Sequence, residues 1–96
     1  MNQDNFIAYL SSEKRYSKHT IISYTNDINQ FRLFLSNEYQ IINDLSEINF
    51  QMIRSWIASL LEKGISSSSV KRKISTLKTY FKFLIREGII KESPML

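Results

Sequence analysis

Apolar residues in this chain recur in four stretches at the spacing of an α-helix, and almost nothing interrupts them. Two Gly and one Pro in 96 residues are few strong breakers, so long helices are favoured over many short strands. The first pattern, residues 3–13, sets Phe6, Tyr9 and Leu10 on one face. The second, 18–38, follows Ser17, whose hydroxyl is placed to cap the first turn, and runs through Ile21, Tyr24, Ile28, Phe31 and Leu35. Residues 39–48 are polar, lose the period and read as a loop. Asn49 caps a third helix, 50–63, with Ile53, Trp56, Ile57, Leu60 and Leu61 inward, and Gly64 supplies the left-handed residue that ends helices. Ser66 or Ser67 caps the fourth helix, whose buried line is Val70, Ile74, Leu77, Phe81 and Leu84 and which stops at Gly88. Phe83 fits neither of its faces and is expected to pack on a neighbouring segment. Four unequal helices without a longer repeat are not a solenoid. They predict one small domain, a compact all-α bundle.

Composition removes several classes of function. The absence of Cys excludes disulfide frameworks and thiolate metal sites, and the single histidine, His19, has no second His or Cys to complete a metal centre. Residues 1–10 lack the basic start and long apolar stretch of a signal peptide, and no apolar run approaches the roughly 18–20 residues of a membrane span. A soluble, cytoplasmic protein with no membrane partner is expected. The nine carboxylates are scattered, with no pair on one helical face, no Gly-rich phosphate loop and no nucleophile elbow. No catalytic residue, metal or cofactor is assigned; the chain reads as a binding module. Asp27 is expected to pair with a nearby base or cap a turn, and Tyr24 and Tyr80 to place their rings in the core with the hydroxyl at the edge.

The positive charge is concentrated. Segment 66–87 carries Lys71, Arg72, Lys73, Lys78, Lys82 and Arg86 against Glu87 alone, a net of +5. The other seven cations and eight anions of this +4 chain sum to −1. With Val70 at zero on a helical wheel of about 100° per residue, Arg72, Ser75, Thr79 and Ser68 lie opposite the apolar line, and Lys71, Lys78 and Lys82 flank them. Long basic side chains reach phosphates, and short hydroxyls let a helix lie close to a groove. A solvated Lys-rich face is the ordinary alternative, but such faces usually mix signs with Glu before Lys at i, i+4, and no such pair occurs here. A second basic patch, Lys14, Arg15, Lys18 and His19, surrounds the start of the second helix. There Ser17, Lys18, His19 and Thr20 offer amides, hydroxyls, an ammonium and an imidazole to a phosphate, or simply a capped helix start.

Ser17-Lys18-His19-Thr20, then Tyr24, Asp27, Phe31 and Phe34-Leu35, resembles the second-helix signature of the tyrosine recombinases, which include phage integrases and Xer-type recombinases. Ser69-Val70-Lys71-Arg72-Lys73-Ile74-Ser75-Thr76-Leu77-Lys78, followed by Tyr80-Phe81 and Phe83-Leu84, then Gly88 and Ser93-Pro94, resembles the same family more strongly. The resemblance implies the family's N-terminal core-binding domain, an orthogonal SAM-like bundle of four helices. It places Thr20, Ser23 and Tyr24 at or near DNA on the second helix, and Ser67, Ser69, Lys71, Arg72, Ser75 and Lys78 on the fourth, with Arg72 and Lys78 foremost as phosphate contacts. It implies partners too: double-stranded DNA, the C-terminal catalytic domain of the same parent chain, and other protomers in a synaptic tetramer. The family's catalytic Arg/Lys/His constellation and Tyr nucleophile belong to that C-terminal domain, and the tyrosines here fall in the wrong region to replace it. On this reading residues 1–92 form the domain and 93–96 begin the linker of a parent that integrates or recombines DNA. The first helix is either a protomer contact or simple closure of the core. The competing class is a helical protein-interaction module with no nucleic-acid role, which would need an exposed apolar patch rather than a basic face. Arg72→Glu with Lys78→Glu is expected to weaken DNA binding and leave the fold intact.

Overall fold

In the computed structural model, which describes residues 3–95, four α-helices carry the chain: α1 (Gln3–Ala8), α2 (Lys18–Tyr39), α3 (Phe50–Glu62) and α4 (Ser67–Arg86). Met1, Asn2 and Leu96, part of the expected domain and linker, lie outside the described residues. The N-caps of α2, α3 and α4 each follow from a side-chain oxygen. The Ser17 hydroxyl accepts from the Thr20 amide at 3.2 Å, Asn49 Oδ1 from the Met52 amide at 3.0 Å, and the Ser66 hydroxyl from the Ser69 amide at 3.3 Å. Gly64 and Gly88 both take positive φ, +81° and +74°, just past the ends of α3 and α4.

The first helix changes pitch rather than running on to residue 13. After Ala8 the chain widens into a π-helical turn, Tyr9–Glu13, closed by the Lys14 amide on the Tyr9 carbonyl at 3.1 Å. Phe6 and Leu10 are fully buried, so this segment closes the core. It does so through rings: Phe6 meets Tyr80 edge-on at 5.1 Å and Phe83 at 5.4 Å, and Tyr9 meets Phe83 at 5.2 Å. Phe83 is thus buried against α1, the neighbouring segment it was expected to need. Arg86 fastens the same end, with Nη1 2.6 Å from Glu13 and the guanidinium 5.3 Å from the centre of the Tyr9 ring.

α2 and α3 pack on α4 through Ile28, Phe31, Leu35, Ile53, Trp56 and Leu60. The Phe31 ring lies 5.1 Å from Trp56 and 6.3 Å from Phe81, at the junction of the three helices. The Tyr39 hydroxyl donates to Ser55 at 3.0 Å and ties the end of α2 to α3. The radius of gyration, 12.9 Å, matches the roughly 12–13 Å of a folded domain this size.

The structure differs from the sequence reading at several further points. The expected loop 39–48 begins only at Gln40, since Tyr39 ends α2; within it Ile41, Leu45 and Ile48 are buried, and a 3₁₀ turn, Leu45–Glu47, is capped by Asp44. A periodicity argument passes over apolar residues that anchor irregular backbone. Leu61 is exposed, not inward, because it sits about 100° round α3 from Leu60. The buried arc of α4 is rotated: it takes in Lys73, Thr76, Tyr80 and Phe83, while Ile74 is only half-buried. The Tyr80 hydroxyl is not at an edge either. The whole side chain is buried, and burial pushes its pKa up to about 12 against the opposing effect of Arg32 beside it.

Trp56→Ala should destabilise the domain by about 3–5 kcal/mol, read from denaturant unfolding, because it empties the place where three helices meet. A loss below about 1 kcal/mol would contradict this packing.

Candidate nucleic-acid interface

Asp27, in the middle of α2, has no solvent exposure. A carboxylate taken out of water is tolerated only when its lone pairs are filled by donors, preferably charged ones. α4 supplies all of them. Arg72 makes a two-pronged contact, Nε to Oδ2 at 3.1 Å and Nη2 to Oδ1 at 2.7 Å. Lys73 Nζ donates to Oδ1 at 2.8 Å and also to Gln30 Oε1 at 2.7 Å. The Thr76 hydroxyl proton lies between Oδ2, at 2.8 Å, and the Arg72 carbonyl, at 3.0 Å. Each carboxylate oxygen therefore accepts two bonds. Burial by itself would raise the Asp27 pKa, but the bonds from Arg72, Lys73 and Thr76 outweigh it and hold the group below its ordinary value of 3.8. The Arg72 pKa is raised, first by its hydrogen bond to Asp27.

This cluster sets which cations of α4 reach solvent. Lys73 turns inward, with only 7% of its side chain exposed, whereas Arg72 at the rim keeps 41%. Lys71, Ser75, Lys78 and Lys82 are exposed, and they follow one another round the opposite arc of the helix. No acidic residue occurs anywhere in α4. The outer surface of the helix is therefore of one sign, with a short hydroxyl between the lysines.

The residues singled out on α2 join this surface at one point. Tyr24 is half-buried, its ring edge-on to Tyr16 at 5.4 Å. Burial raises its pKa, Tyr16 and Asp27 add to the effect, and the Arg72 charge opposes it, so Tyr24 lies within the field of the Asp27–Arg72 pair. Lys18 and His19 are exposed on the first turn, and Ser23 is half-buried. Thr20 is half-buried with its hydroxyl 3.0 Å from that of Ser17, so it belongs to the cap. Ser67 is exposed and Ser69 half-buried at the start of α4, the latter accepting from the Ser66 hydroxyl at 3.1 Å.

Arg72 corrects the expectation that reversing its charge would leave the fold intact. Its guanidinium is bonded to a buried carboxylate, and a glutamate there would set one anion against another. Lys73, Thr76 and Gln30 complete the hydrogen bonding around Asp27, and none of them is among the expected DNA contacts. A signal for the first is nonetheless present: with Val70 at zero, Lys73 falls about 60° away, between Leu84 and Tyr80 on the wheel, both of them buried. A lysine inside an apolar stripe requires a buried anion.

The family described as phage integrase, N-terminal SAM-like domain, matches residues 4–88. The chain is similar to the tyrosine recombinase XerC of Listeria innocua, 41% identical over 92 residues, 96% of this chain and 30% of that protein. It is also similar to the tyrosine recombinase XerC of Bacillus subtilis, 40% identical over 89 residues, 93% of this chain and 29% of that protein. The chain thus spans about 30% of the length of the curated relatives it matches. No solved structure matches it. Among the described residues, no helix is long and apolar enough to cross a membrane, and no group of three His, Cys, Asp or Glu side chains is placed to hold a metal ion.

The lowered Asp27 pKa predicts an acid limb of stability. Native Asp27 stays ionised where the unfolded chain already takes up the proton. Its contribution is therefore complete above 3.8 and is lost as the pH falls through the lowered native value. Thermal melts taken from neutral pH down to about pH 2 should show this loss, and Asp27→Asn should flatten it. Parallel acid limbs in the two proteins would exclude Asp27 as the group responsible.

Proposed function

Since the chain belongs to the phage integrase N-terminal SAM-like domain family, we propose that it is the duplex DNA-binding domain of a site-specific tyrosine recombinase. The observation that carries this reading is the one-signed outer arc of α4, where Lys71, Lys78 and Lys82 face solvent around Ser75 with no acidic residue on the helix. Phosphates attract such an arc regardless of base sequence. Lys71 and Lys78 contact the backbone, and Arg72 does so from the rim. Ser67, Ser69 and Ser75 allow close approach to the groove. On α2, Lys18, His19, Thr20, Ser23 and Tyr24 extend the contact, with the first-turn amides and macrodipole favouring an anion.

The domain binds DNA and does not cut it. Strand breakage and rejoining belong to a C-terminal catalytic domain of a parent about three times longer, a length suggested by the 30% share of the relatives that this chain covers. The linker to that domain starts near Ser93, the two domains hold the duplex from opposite sides, and further protomers join them in a synaptic tetramer. The parent works on DNA in the bacterial cytoplasm. A protein-interaction module is the competing reading, with exposed Leu33 and Leu61 as its apolar contacts.

Salt dependence separates the two, because phosphate binding weakens steeply with ionic strength and apolar docking does not. In fluorescence anisotropy with a labelled duplex, affinity should fall linearly on a log–log salt plot. Lys71→Glu with Lys78→Glu should lower affinity at least about tenfold and flatten that slope by about 0.9 for each phosphate no longer neutralised, with the melting temperature unchanged. Equal affinity and slope in wild type and variant would overturn the assigned face.

A further inference from the structure

The charges gathered at Asp27 do not cancel. One carboxylate faces two cations, Arg72 and Lys73, so the cluster carries a net charge of +1. Lys73 alone would neutralise Asp27, and its ammonium is the more deeply buried of the two. Arg72 is the surplus cation, and it stands where the cluster meets solvent. A side-on contact through Nε and Nη2 leaves Nη1 and the outer N–H of Nη2 directed away from the carboxylate. Two fixed bonds have already removed most of the rotamer freedom of the side chain, so a ligand meeting the free edge loses little more. Lys71 and Lys78, on exposed flexible stems, attract phosphate by charge without that fixed direction.

We propose, resting on the DNA-binding reading, that Asp27 is a positioning residue of the interface: it holds the Arg72 fork at the seam of α2 and α4 so that its free edge meets one DNA phosphate. Thr76 and Lys73 serve the same end by filling the remaining lone pairs, which keeps the carboxylate from turning. The pair thus acts in two directions. Inward it joins α2 to α4, and outward it presents an oriented donor edge beside Tyr24.

The test uses a charge-neutral change. Asp27→Asn with Lys73→Met removes both buried charges, leaves the net charge unaltered and keeps Arg72, with its two charge-assisted bonds replaced by at most one to a neutral amide oxygen. A surface that only counts charge would bind duplex DNA as before. Positioning predicts an affinity about tenfold weaker, the scale of one lost charge-assisted hydrogen bond. It also predicts coupling: Arg72→Met should cost about tenfold in the wild-type domain and little in the background that carries both Asp27→Asn and Lys73→Met. Melting curves of every variant confirm that the assay reads folded protein. If the double variant melts below the assay temperature, Arg72→Lys decides, since it keeps the charge and loses the fork. A loss close to that of Arg72→Met supports positioning, and wild-type affinity overturns it. Unchanged affinity in the double variant, or the same Arg72→Met cost in both backgrounds, would overturn it as well. Failure of the wild-type domain to bind any duplex at low salt would instead overturn the DNA reading beneath it.

Discussion

A single carboxylate with no access to water organises this domain. Desolvating Asp27 is unfavourable by several kcal/mol unless its oxygens are satisfied, and only α4 offers the donors. That requirement fixes the rotation of α4 about its own axis. With Lys73 and Thr76 turned towards Asp27, Tyr80 and Leu84 fall on the inner side by helical period, and Lys71, Ser75, Lys78 and Lys82 fall outside. The internal ion cluster and the external cationic arc are consequences of one helix setting, the second following from the first.

The rest of the fold holds that setting in place. Phe31, Trp56 and Phe81 meet where α2, α3 and α4 converge, and the Phe6, Tyr80 and Phe83 rings seal the other side under α1. The π-helical turn and the left-handed Arg15 then carry the chain into the Ser17 cap of α2. Beyond Gly88, Ile90 is buried and Met95 packs on the core, so this stretch still lies against the bundle.

Much of this is legible in the residues. The three helix-capping residues, the four helices, the two terminating glycines and the cationic character of α4 all follow from local chemistry, which acts over a few residues and is written in consecutive order. What escapes depends on partners distant along the chain. Lys73 reads as one more surface cation until Asp27, 46 residues earlier, is known to face it. Arg72 reads as a free phosphate contact for the same reason. Ile41, Leu45 and Ile48 are core residues without helical backbone, so periodicity does not register them. The rotation of α4 escapes because a wheel sends polar residues to the outside, whereas this helix buries Lys73 and Thr76 against Asp27.

The most direct test of the account is a nuclear magnetic resonance titration of the ¹⁵N-labelled domain with a short duplex, following the backbone amides and the Arg72 Nε–Hε signal together. If Asp27 holds Arg72 against a DNA-binding face, the Arg72 signal is resolved in the free protein and shifts on adding DNA together with amides along the outer arc of α4 and the start of α2. Shifts confined to the α2–α3 side around Leu33 and Leu61, with Arg72 and the outer arc of α4 unmoved, would contradict it.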